Sequence, residues 1–346
     1  MNAQVIAFFN NKGGVGKTSL VYHLAWMYAE LGLRVVAADF DPQANLTAAF
    51  LDEDRLEQVW SDHDRSRTVF GCVQPIIKGT GDIGTPRLEL VEEELALLIG
   101  DLSLSGFEDQ LSSVWPLCMD GEERGFRVIS AFWRIMQDAA REHKATVILM
   151  DLGPNLGAIN RAALIGADYV VVPLSPDLFS LQGLRNLGPT LRRWRREWKE
   201  RLPKNPAKDL SLPEGNMEPA GYVVLQHSVR LDRPVKAYEK WIARIPDTYR
   251  ECVLEEKTSV RLLPKDDPNC LAQLKHYRSL MPLAQEAHKP MFFLKPADGA
   301  IGGHMGYVHQ VYEDFESLAR NILRRTGVDE PTQHARPLTL PLGIAL

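Results

Sequence analysis

The segment that decides the fold reads Asn10-Asn11-Lys12-Gly13-Gly14-Val15-Gly16-Lys17-Thr18-Ser19, and it joins a short apolar run to a helical pattern. The apolar run is Val5–Phe9, and the helical pattern begins at Lys17. A glycine-rich turn between a strand and a helix N-terminus exposes backbone N–H groups to an anion. Glycine lets the anion approach closely because it carries no Cβ. The sequence therefore predicts a phosphate-binding loop whose contacts come from Gly13, Gly14, Val15, Gly16, Lys17, Thr18 and Ser19.

Three side chains at the end of this loop suit a nucleoside triphosphate bound with Mg²⁺. We expect Lys17 to span the β- and γ-phosphates and the Thr18 hydroxyl to ligate Mg²⁺. Ser19 follows directly and would reach the α-phosphate. The simpler interpretation is a glycine turn with two solvated lysines, but the flanking strand and helix patterns argue against it.

Short apolar runs alternate with helical patterns along the rest of the chain. Because these runs are apolar throughout, they predict strands covered on both faces: Val5–Phe9, Val35–Ala38, Val147–Met150, Tyr169–Val172, Tyr222–Leu225 and Met291–Leu294. One apolar stripe predicts a helix that ends near Gly32, and another predicts a helix over residues 308–322. The alternation predicts an α/β protein with a mostly parallel, twisted sheet and helices on both faces. Together with the phosphate-binding loop after the first strand, it indicates the P-loop NTPase type.

The composition fits one globular domain. The 346 residues are 45% hydrophobic and 25% charged, which excludes a chain that is disordered throughout. We expect a single domain over residues 1–325, with insertions or surface loops near residues 51–85 and 202–219. Residues 326–346 contain prolines and predict an extended C-terminal tail.

Net charge and cysteine usage limit the partners and the compartment. A net charge of -5 means that nucleic-acid binding would need a local basic patch. The four cysteines form no Cys-x-x-Cys pair, so neither a zinc site nor a disulfide framework is indicated. The sequence has no apolar run approaching the roughly 18 residues of a membrane span, and no signal-peptide pattern. We therefore expect a cytoplasmic protein with no membrane partner.

The lysines and glycines of the loop carry a resemblance to a known family. The run from Lys12 to Thr18 resembles the deviant Walker A loop of the ParA and MinD superfamily, and most closely that of the ParA-type partition ATPases; a general P-loop would have glycine in place of Asn11. The resemblance implies ATP and Mg²⁺ as cofactors and a nucleotide-sandwich homodimer in which Lys12 reaches the partner's ATP. A unit charge about 4 Å from a phosphate oxygen contributes on the order of 4 kcal/mol at an effective dielectric constant of 20, whereas a helix dipole contributes about 0.3 to 1 kcal/mol. A second lysine is therefore enough to decide dimerisation.

A second match follows the second predicted strand. The run Asp39-Phe40-Asp41-Pro42-Gln43-Ala44-Asn45 resembles switch I of the ParA-type ATPases. The resemblance implies that Asp41 orients the attacking water and that Asp39 supports Mg²⁺ and its water shell. Carboxylates at the C-terminal end of a strand suit both tasks, because ligands bind beyond the strand ends of open α/β sheets. A helix-capping turn that begins at Asp41-Pro42 is the alternative.

Two further positions complete the predicted site. Asp151 ends an apolar strand and resembles the Walker B carboxylate that reaches Mg²⁺, although taken alone it would be an ordinary strand end. Switch II would then begin at Gly153, where the family more often has proline. Gln226 follows the strand Tyr222–Leu225 at a position where many relatives have asparagine. The resemblance makes Gln226 the candidate contact for adenine.

A basic segment, residues 191–204, is the candidate for DNA binding. It holds seven Lys and Arg residues, and on a helical wheel Arg192, Arg196 and Lys199 gather on one face. The opposite face carries the two tryptophans of the segment, which predicts that they belong to the core. ParA relatives bind DNA nonspecifically through surface Arg and Lys, and the resemblance implies the same here. A solvated basic face is the alternative, and Gly188-Pro189 predicts a helix break before the segment.

The resemblance implies one function and leaves a second open. The first is a weak, Mg²⁺-dependent ATPase that dimerises on ATP, binds DNA as the dimer and is released by partner-stimulated hydrolysis, as in DNA or plasmid partition. With DNA binding it would be nucleoid-associated. The alternative is an ATP-gated protein-interaction module that regulates a neighbouring effector or toxin without binding DNA.

Other branches of the superfamily fit the sequence less well. The nitrogenase iron protein, one of several metabolic relatives, needs a cysteine soon after Asp151, and none occurs before Cys252. A MinD-like membrane role needs a basic amphipathic C-terminal helix, which the proline-flanked run at residues 337–341 does not provide.

Overall fold

Eight strands of the described residues form one sheet. The computed structural model describes residues 2–61, 65–225, 240–257, 260–275, 277 and 279–330. The strands are β1 (Gln4–Phe8), β2 (Val35–Asp39), β3 (Glu89–Leu90), β4 (Leu95–Leu98), β5 (Val147–Asp151), β6 (Tyr169–Leu174), β7 (Glu218–Leu225) and β8 (Cys270–Leu274). Their order is β3-β4-β2-β5-β1-β6-β7-β8, and every neighbouring pair is parallel except β3 with β4. The prediction of a mostly parallel sheet is confirmed.

Helices cover both faces of this sheet. The α-helices are α1 (Lys17–Glu30), α2 (Asn45–Phe50), α3 (Glu53–Val59), α4 (Val69–Lys78), α5 (Glu108–Val114), α6 (Glu123–Ile129), α7 (Ala131–His143), α8 (Ala158–Ile165), α9 (Leu178–Arg201), α10 (Ile245–Tyr249), α11 (Leu280–Glu286) and α12 (Gly303–Thr326). Short 3-10 turns lie at Arg65–Arg67, Leu102–Phe107, Pro116–Cys118, Leu202–Lys204, Pro264–Asp266, Met291–Phe293 and Pro296–Asp298, and a π-helical turn lies at Arg250–Leu254.

Strand β1 shows why both faces need helices. Val5 and Ala7 lie in one hydrophobic core with side chains of α7 and α9. Ile6 and Phe8 lie in a second core with side chains of α1 and α12. Consecutive side chains of a strand point to opposite faces, so a run that is apolar throughout is stable only between two helical layers. The prediction of helices on both faces is confirmed.

One predicted strand, Met291–Leu294, is wrong. Met291–Phe293 forms a 3-10 turn whose side chains pack in the core beside α1 and α12. The backbone N–H of Met291 donates to Nε2 of His23 at 3.2 Å, so this donor bonds a side chain and not a neighbouring strand. The edge strand on this side of the sheet, beyond β7, is β8, which the sequence did not indicate. Periodicity alone does not separate a short buried strand from a buried turn.

The predicted helix break at Gly188-Pro189 is also wrong. Helix α9 is 24 residues long and continues without a break through Pro189. Its buried stripe runs on both sides of the proline, with Leu187 before it and Leu191 after it. Packing of that stripe keeps the helix continuous although proline removes one backbone hydrogen bond. The two tryptophans of α9 are buried, as predicted.

The region near residues 51–85 is more regular than a surface loop. It contains α3 and α4, and Val69, Val73 and Ile76 of α4 are buried in the core. That spacing is a helix face, which the surrounding charged and glycine residues obscure. Further along, α12 ends at Thr326, and residues 331–346 lie outside the described residues, so the extended tail stays a prediction. Each helix in the described part of the chain is too short or too polar to cross a membrane.

Candidate nucleotide-binding site

A cavity of about 640 Å³ opens above the loop between β1 and α1. Its floor comes from the loop and the first two turns of α1, and its walls come from switch I, α2 and the segment around α11. The lining residues are Gly13, Gly14, Gly16, Lys17, Thr18, Ser19, Tyr22, His23, Asp41, Gln43, Asn45, Ala48, Ala49, Pro154, Met281, Ala284, Gln285, His288 and Lys289. Most residues predicted to bind the nucleotide therefore share one cavity.

Two glycines give the loop its shape. Gly14 has φ 71° and Gly16 has φ 83°, a left-handed conformation that other residues adopt only under strain. A Cβ placed on Gly14 would meet nothing within 4 Å, so space for a ligand remains above the backbone. Gly16 is the residue directly before α1, and no described side chain caps the N-terminus of that helix. The loop therefore offers uncapped N–H groups to an anion.

Lys17 lies on the floor of the cavity and is only 7% exposed. Burial lowers the pKa of its ammonium group, and the nearby carboxylates of Asp151 and Asp41 oppose that shift. A lysine that has already lost most of its hydration loses little more when it binds a phosphate. The position suits the predicted phosphate contact.

The end of β5 supplies a carboxylate with a free acceptor. The Thr18 hydroxyl donates to Oδ2 of Asp151 at 2.7 Å, and Oδ1 of Asp151 is buried with no hydrogen-bond partner among the described residues. Burial, together with the charge of Asp39, raises the pKa of Asp151 to about 8. A buried, unpartnered carboxylate oxygen beside a threonine hydroxyl fits a Mg²⁺ ion, which prefers oxygen ligands. Thr18 and Asp151 are the residues that would hold it.

Asp39 is placed differently from Asp151, although the two residues face each other across β2 and β5. Its Oδ2 accepts from the backbone N–H of Thr47 at 2.8 Å and from the Thr47 hydroxyl at 2.7 Å. Its Oδ1 accepts from the N–H of Asp41 at 3.2 Å. Burial raises the pKa of Asp39 to about 7. Asp39 does not line the cavity, and in this structure it holds switch I in shape; the contact with Mg²⁺ stays a prediction.

Asp41 lines the cavity and is 6% exposed. Its Oδ1 accepts from the N–H of Gln43 at 3.0 Å. A Cβ placed on Gly153 would lie 3.1 Å from that same oxygen. The glycine that departs from the family pattern therefore lets the Asp41 carboxylate lie against the backbone of switch II. The sequence did not indicate this contact.

Lys12 lies outside the cavity that Lys17 occupies. Its ammonium group pairs with the carboxylate of Asp177, and Asp177 also caps α9 by accepting from the N–H of Ser180 at 2.8 Å. The Lys12 side chain is 25% exposed. The two lysines of one loop thus point to different surroundings, and Lys12 makes no contact with the cavity of its own subunit.

The far wall of the cavity was not predicted. Met281, Gln285 and His288 come from α11 and the turn after it, and no local motif marks them in the sequence. His23 joins this wall to the loop: its ring bonds the Ser19 carbonyl through Nδ1 at 2.8 Å and accepts the Met291 N–H at Nε2. Burial lowers the pKa of His23 to about 4, so its ring is neutral. Gln226 lies outside the described residues, and its contact with adenine stays a prediction.

Comparison with known proteins agrees with this geometry. The sequence model of an AAA-domain family matches residues 3–204. Among curated proteins, the chromosome partitioning protein ParA of Caulobacter vibrioides is 30% identical over 199 residues, which are 58% of this chain and 66% of that protein. The chain belongs to the ParA/MinD superfamily.

Other members of the superfamily show the same pattern of partial coverage. The sporulation initiation inhibitor protein Soj of Bacillus subtilis is 28% identical over 190 residues, 55% of this chain and 65% of Soj. The chain covers 44% of the length of IncC of Escherichia coli and 42% of a putative replication protein A of Rhizobium rhizogenes. This chain therefore spans between two fifths and two thirds of these curated relatives.

Solved structures share this fold over nearly the whole chain. A protein from Corynebacterium diphtheriae aligns with a TM-score of 0.67 at 23% identity and covers 93% of this chain and 98% of that one. A putative plasmid partition protein from Borrelia burgdorferi, bound to AMPPNP, aligns with a TM-score of 0.54 at 15% identity over 94% of this chain and 100% of its own. The predicted fold is confirmed.

One of the three basic residues predicted on the face of α9 also makes contacts within the fold. Arg192 donates from Nη1 to the Cys252 carbonyl at 2.6 Å and pairs through Nε with Glu255 at 3.0 Å. These contacts tie α9 to the segment after α10 and engage Arg192 within the fold, and its contact with DNA stays a prediction. Arg196 and Lys199 are exposed. They remain the exposed candidates on this face.

Proposed function

We propose that the protein is an ATP-dependent dimerising switch whose ATP-bound dimer binds DNA nonspecifically and whose hydrolysis, stimulated by a partner protein, releases it. The observation that carries this proposal is the contrast between two lysines of one loop. Lys17 is buried under the cavity, whereas Lys12 sits outside it in an ion pair. Each subunit uses Lys17 for its own nucleotide, and Lys12 exchanges Asp177 for the nucleotide of the second subunit.

The residues around Lys17 give the site its ATPase character. Mg²⁺, when bound, neutralises charge on the phosphate oxygens. The chain's own groups bind and orient: the loop N–H groups and Lys17 hold the phosphates, and Asp41 orients a water from the cavity wall. Asp41 is buried against switch II, so its carboxylate has few alternative positions. Slow unaided turnover follows if a partner protein must complete this arrangement.

Lys12 is able to exchange its partner at low cost. Its ion pair with Asp177 is partly exposed, and pairs of this kind contribute about 0 to 1 kcal/mol. A triphosphate carries several negative charges whereas Asp177 carries one, so at the same distance the triphosphate attracts the Lys12 ammonium group more strongly. The ATP of a second subunit therefore outcompetes Asp177, while ADP, which lacks the γ-phosphate, does so less well.

A size measurement tests the dimer. Light scattering after gel filtration should give a monomer with ADP and a dimer with ATP and Mg²⁺. Lys12→Ala should bind ATP but stay monomeric, and Lys208→Ala, which removes an exposed lysine elsewhere, should dimerise like the parent. A Lys12→Ala variant that dimerises on ATP as readily as the parent would rule out the sandwich.

A second candidate function keeps the ATP switch but replaces DNA with a protein partner. Two apolar residues, Leu178 and Phe179, follow Asp177 and are 47% and 71% exposed. Such residues favour a protein contact next to the Lys12–Asp177 pair. Duplex DNA binding measured with ATP and Mg²⁺ separates the two functions, since the protein-interaction module would show none.

A further inference from the structure

A segment that leaves the sheet at the end of β4, the neighbour of β2, contacts residues beside both switches. This bridge segment, residues 100–108, runs from the end of β4 to the first residue of α5. At its start, the N–H of Gly100 donates to the Thr47 hydroxyl at 2.8 Å, and that hydroxyl donates to Asp39 of switch I. A Cβ on Gly100 would lie 2.7 Å from Cγ of Asp39. The bridge segment is therefore packed directly against switch I.

The other end of the bridge segment meets switch II. Oε1 of Glu108 accepts from the N–H of Ala158 at 2.5 Å, and Oε2 accepts from the N–H of Ile159 at 2.8 Å. These two N–H groups begin α8, the helix that follows switch II. The residue before them, Gly157, supplies no side-chain cap. A carboxylate at a helix N-terminus satisfies unpaired donors and interacts favourably with the helix dipole.

The position of α8 in turn sets the backbone of switch II. Asn160, in the first turn of α8, donates from Nδ2 to the carbonyls of Gly153 at 2.8 Å and Asn155 at 2.6 Å. Gly153 lies against the Asp41 carboxylate. A continuous set of contacts therefore leads from Glu108 through α8 and Asn160 to the residue that faces the cavity.

The middle of the bridge segment is rigid. Asp101 caps the 3-10 turn Leu102–Phe107 by accepting from the N–H of Ser103 at 2.8 Å, and it also accepts from the Thr68 hydroxyl at 2.9 Å. Leu104 and Phe107 are fully buried. A segment anchored at both ends and in its middle transmits a displacement better than a flexible loop.

We propose that Glu108 is a positioning residue for switch II and that the bridge segment couples switch II to switch I. This inference rests on the proposed ATPase function, in which Asp41 acts beside switch II. Glu108 touches neither the cavity nor the residues that bind phosphate. Removing the Glu108 carboxylate should therefore displace the backbone of switch II and leave the phosphate-binding loop unchanged.

The first experiment compares Glu108→Ala, Glu108→Gln and Asp109→Ala. Asp109 is the exposed neighbouring carboxylate in the same turn of α5, so its variant is the matched control. We expect Glu108→Ala to bind a fluorescent ATP analogue within about twofold of the parent but to turn over ATP about tenfold more slowly, because small misplacements of catalytic groups are costly. Glu108→Gln keeps one acceptor, so its ATP turnover should lie between those of the parent and Glu108→Ala. Asp109→Ala should turn over ATP like the parent. Parental turnover in Glu108→Ala, or equal losses of affinity and turnover, would overturn the proposal.

A measurement without nucleotide separates this inference from the proposed function. Hydrogen exchange of residues 153–160 reports the Glu108 cap directly, and Glu108→Ala should exchange about five- to tenfold faster there while α5 and the sheet keep parental rates. If the parent neither binds nor hydrolyses ATP, the proposed function fails while this result still stands. Unchanged hydrogen-exchange rates at residues 153–160 would show that Glu108 does not stabilise the start of α8, and would contradict the inference.

A double-mutant cycle tests the coupling between the switches. Thr47→Val removes the hydroxyl that joins Asp39 to Gly100. If the bridge segment couples the switches, the two substitutions disturb the same set of contacts. The ATP turnover of the double variant, Thr47→Val with Glu108→Ala, should then be within about twofold of that of the slower single variant. Losses that multiply would show two independent sites and overturn the coupling.

Discussion

The cavity edge of the sheet and the outer face of α9 differ in how far their charged side chains are exposed to solvent. At the cavity edge, three carboxylates, Asp39, Asp41 and Asp151, are buried, and two of them, Asp41 and Asp151, act on the buried ammonium group of Lys17. On α9, Arg196 and Lys199 stand in solvent. Buried charges cost free energy until a ligand completes their pairing, whereas solvated charges act on a partner at a distance and are screened by salt. The first region is built to bind one small ligand tightly, and the second suits a weak and extended partner.

The largest expected effect is at the cavity edge. Lys17→Ala should weaken ATP binding by at least about thirtyfold, because truncating one partner of a buried charge pair costs 2 to 5 kcal/mol. Lys12→Ala should change the ATP affinity of the monomer by less than about threefold. Calorimetry or a fluorescent ATP analogue measures both. Similar ATP affinities for the two variants would show that Lys12 and Lys17 do not differ in their contribution to ATP binding by the monomer.

A second prediction concerns the cost of the buried carboxylates. The pKa of Asp151 is raised to about 8 and that of Asp39 to about 7, while an unfolded carboxyl group has a pKa near 4. The folded state binds more protons in this range, so the protein without nucleotide and Mg²⁺ should lose stability as the pH rises from about 4 to about 8. Asp151→Asn cannot ionise, and the Asn side chain keeps an acceptor for Thr18.

Asp151→Asn should therefore be more stable than the parent at pH 8.5, by on the order of 1 to 2 kcal/mol, and the difference should shrink at pH 5.5. Chemical denaturation in the presence of a chelator measures it. The same variant should lose ATP turnover. A variant less stable than the parent at pH 8.5 would show that the Lys17 pairing outweighs the burial of Asp151.

Much of the cavity edge could be predicted from the sequence because its residues are close together in the chain. The loop at residues 10–19 is contiguous, and Asp41 and Asp151 each follow an apolar strand. Parallel strands end at the same edge, so a correct sheet brings these residues together. The far wall of the cavity around Gln285 could not be predicted, since it depends on how a distant helix packs over α1.

The errors on the rest of the chain have the same origin. Met291–Leu294 has the composition of a strand, but its backbone bonds His23, which is far away in the sequence. Arg192 has the spacing of a solvated face, and only the structure shows that it also bonds the segment after α10. The local sequence pattern predicts which face of a helix is apolar. Which residues contact the polar face depends on the tertiary structure, which the pattern does not contain.

A third prediction concerns the junction between the two regions, the Lys12–Asp177 pair. Asp177→Asn removes the charge that holds Lys12 and keeps the cap of α9, because Asn is as good an N-cap as Asp. The variant should dimerise at about three- to fivefold lower ATP concentration, the equivalent of an exposed ion pair of up to about 1 kcal/mol. Light scattering across an ATP titration measures this. A higher ATP requirement would mean that Asp177 helps the dimer and does not restrain Lys12.

The smallest effects belong to α9, and they sharpen the comparison because only a solvated charge should depend on salt. Arg196→Ala and Lys199→Ala should each weaken binding of duplex DNA to the ATP-bound protein by about two- to threefold, and each should reduce the slope of log affinity against log salt by about 1. Arg192→Ala should instead lower the stability of the protein, since it leaves the Cys252 carbonyl without its donor, and should leave the slope nearly unchanged. A slope that falls with Arg192→Ala and not with Arg196→Ala would place the DNA contact at Arg192, whose charge is paired with Glu255 within the fold and would have to be released first.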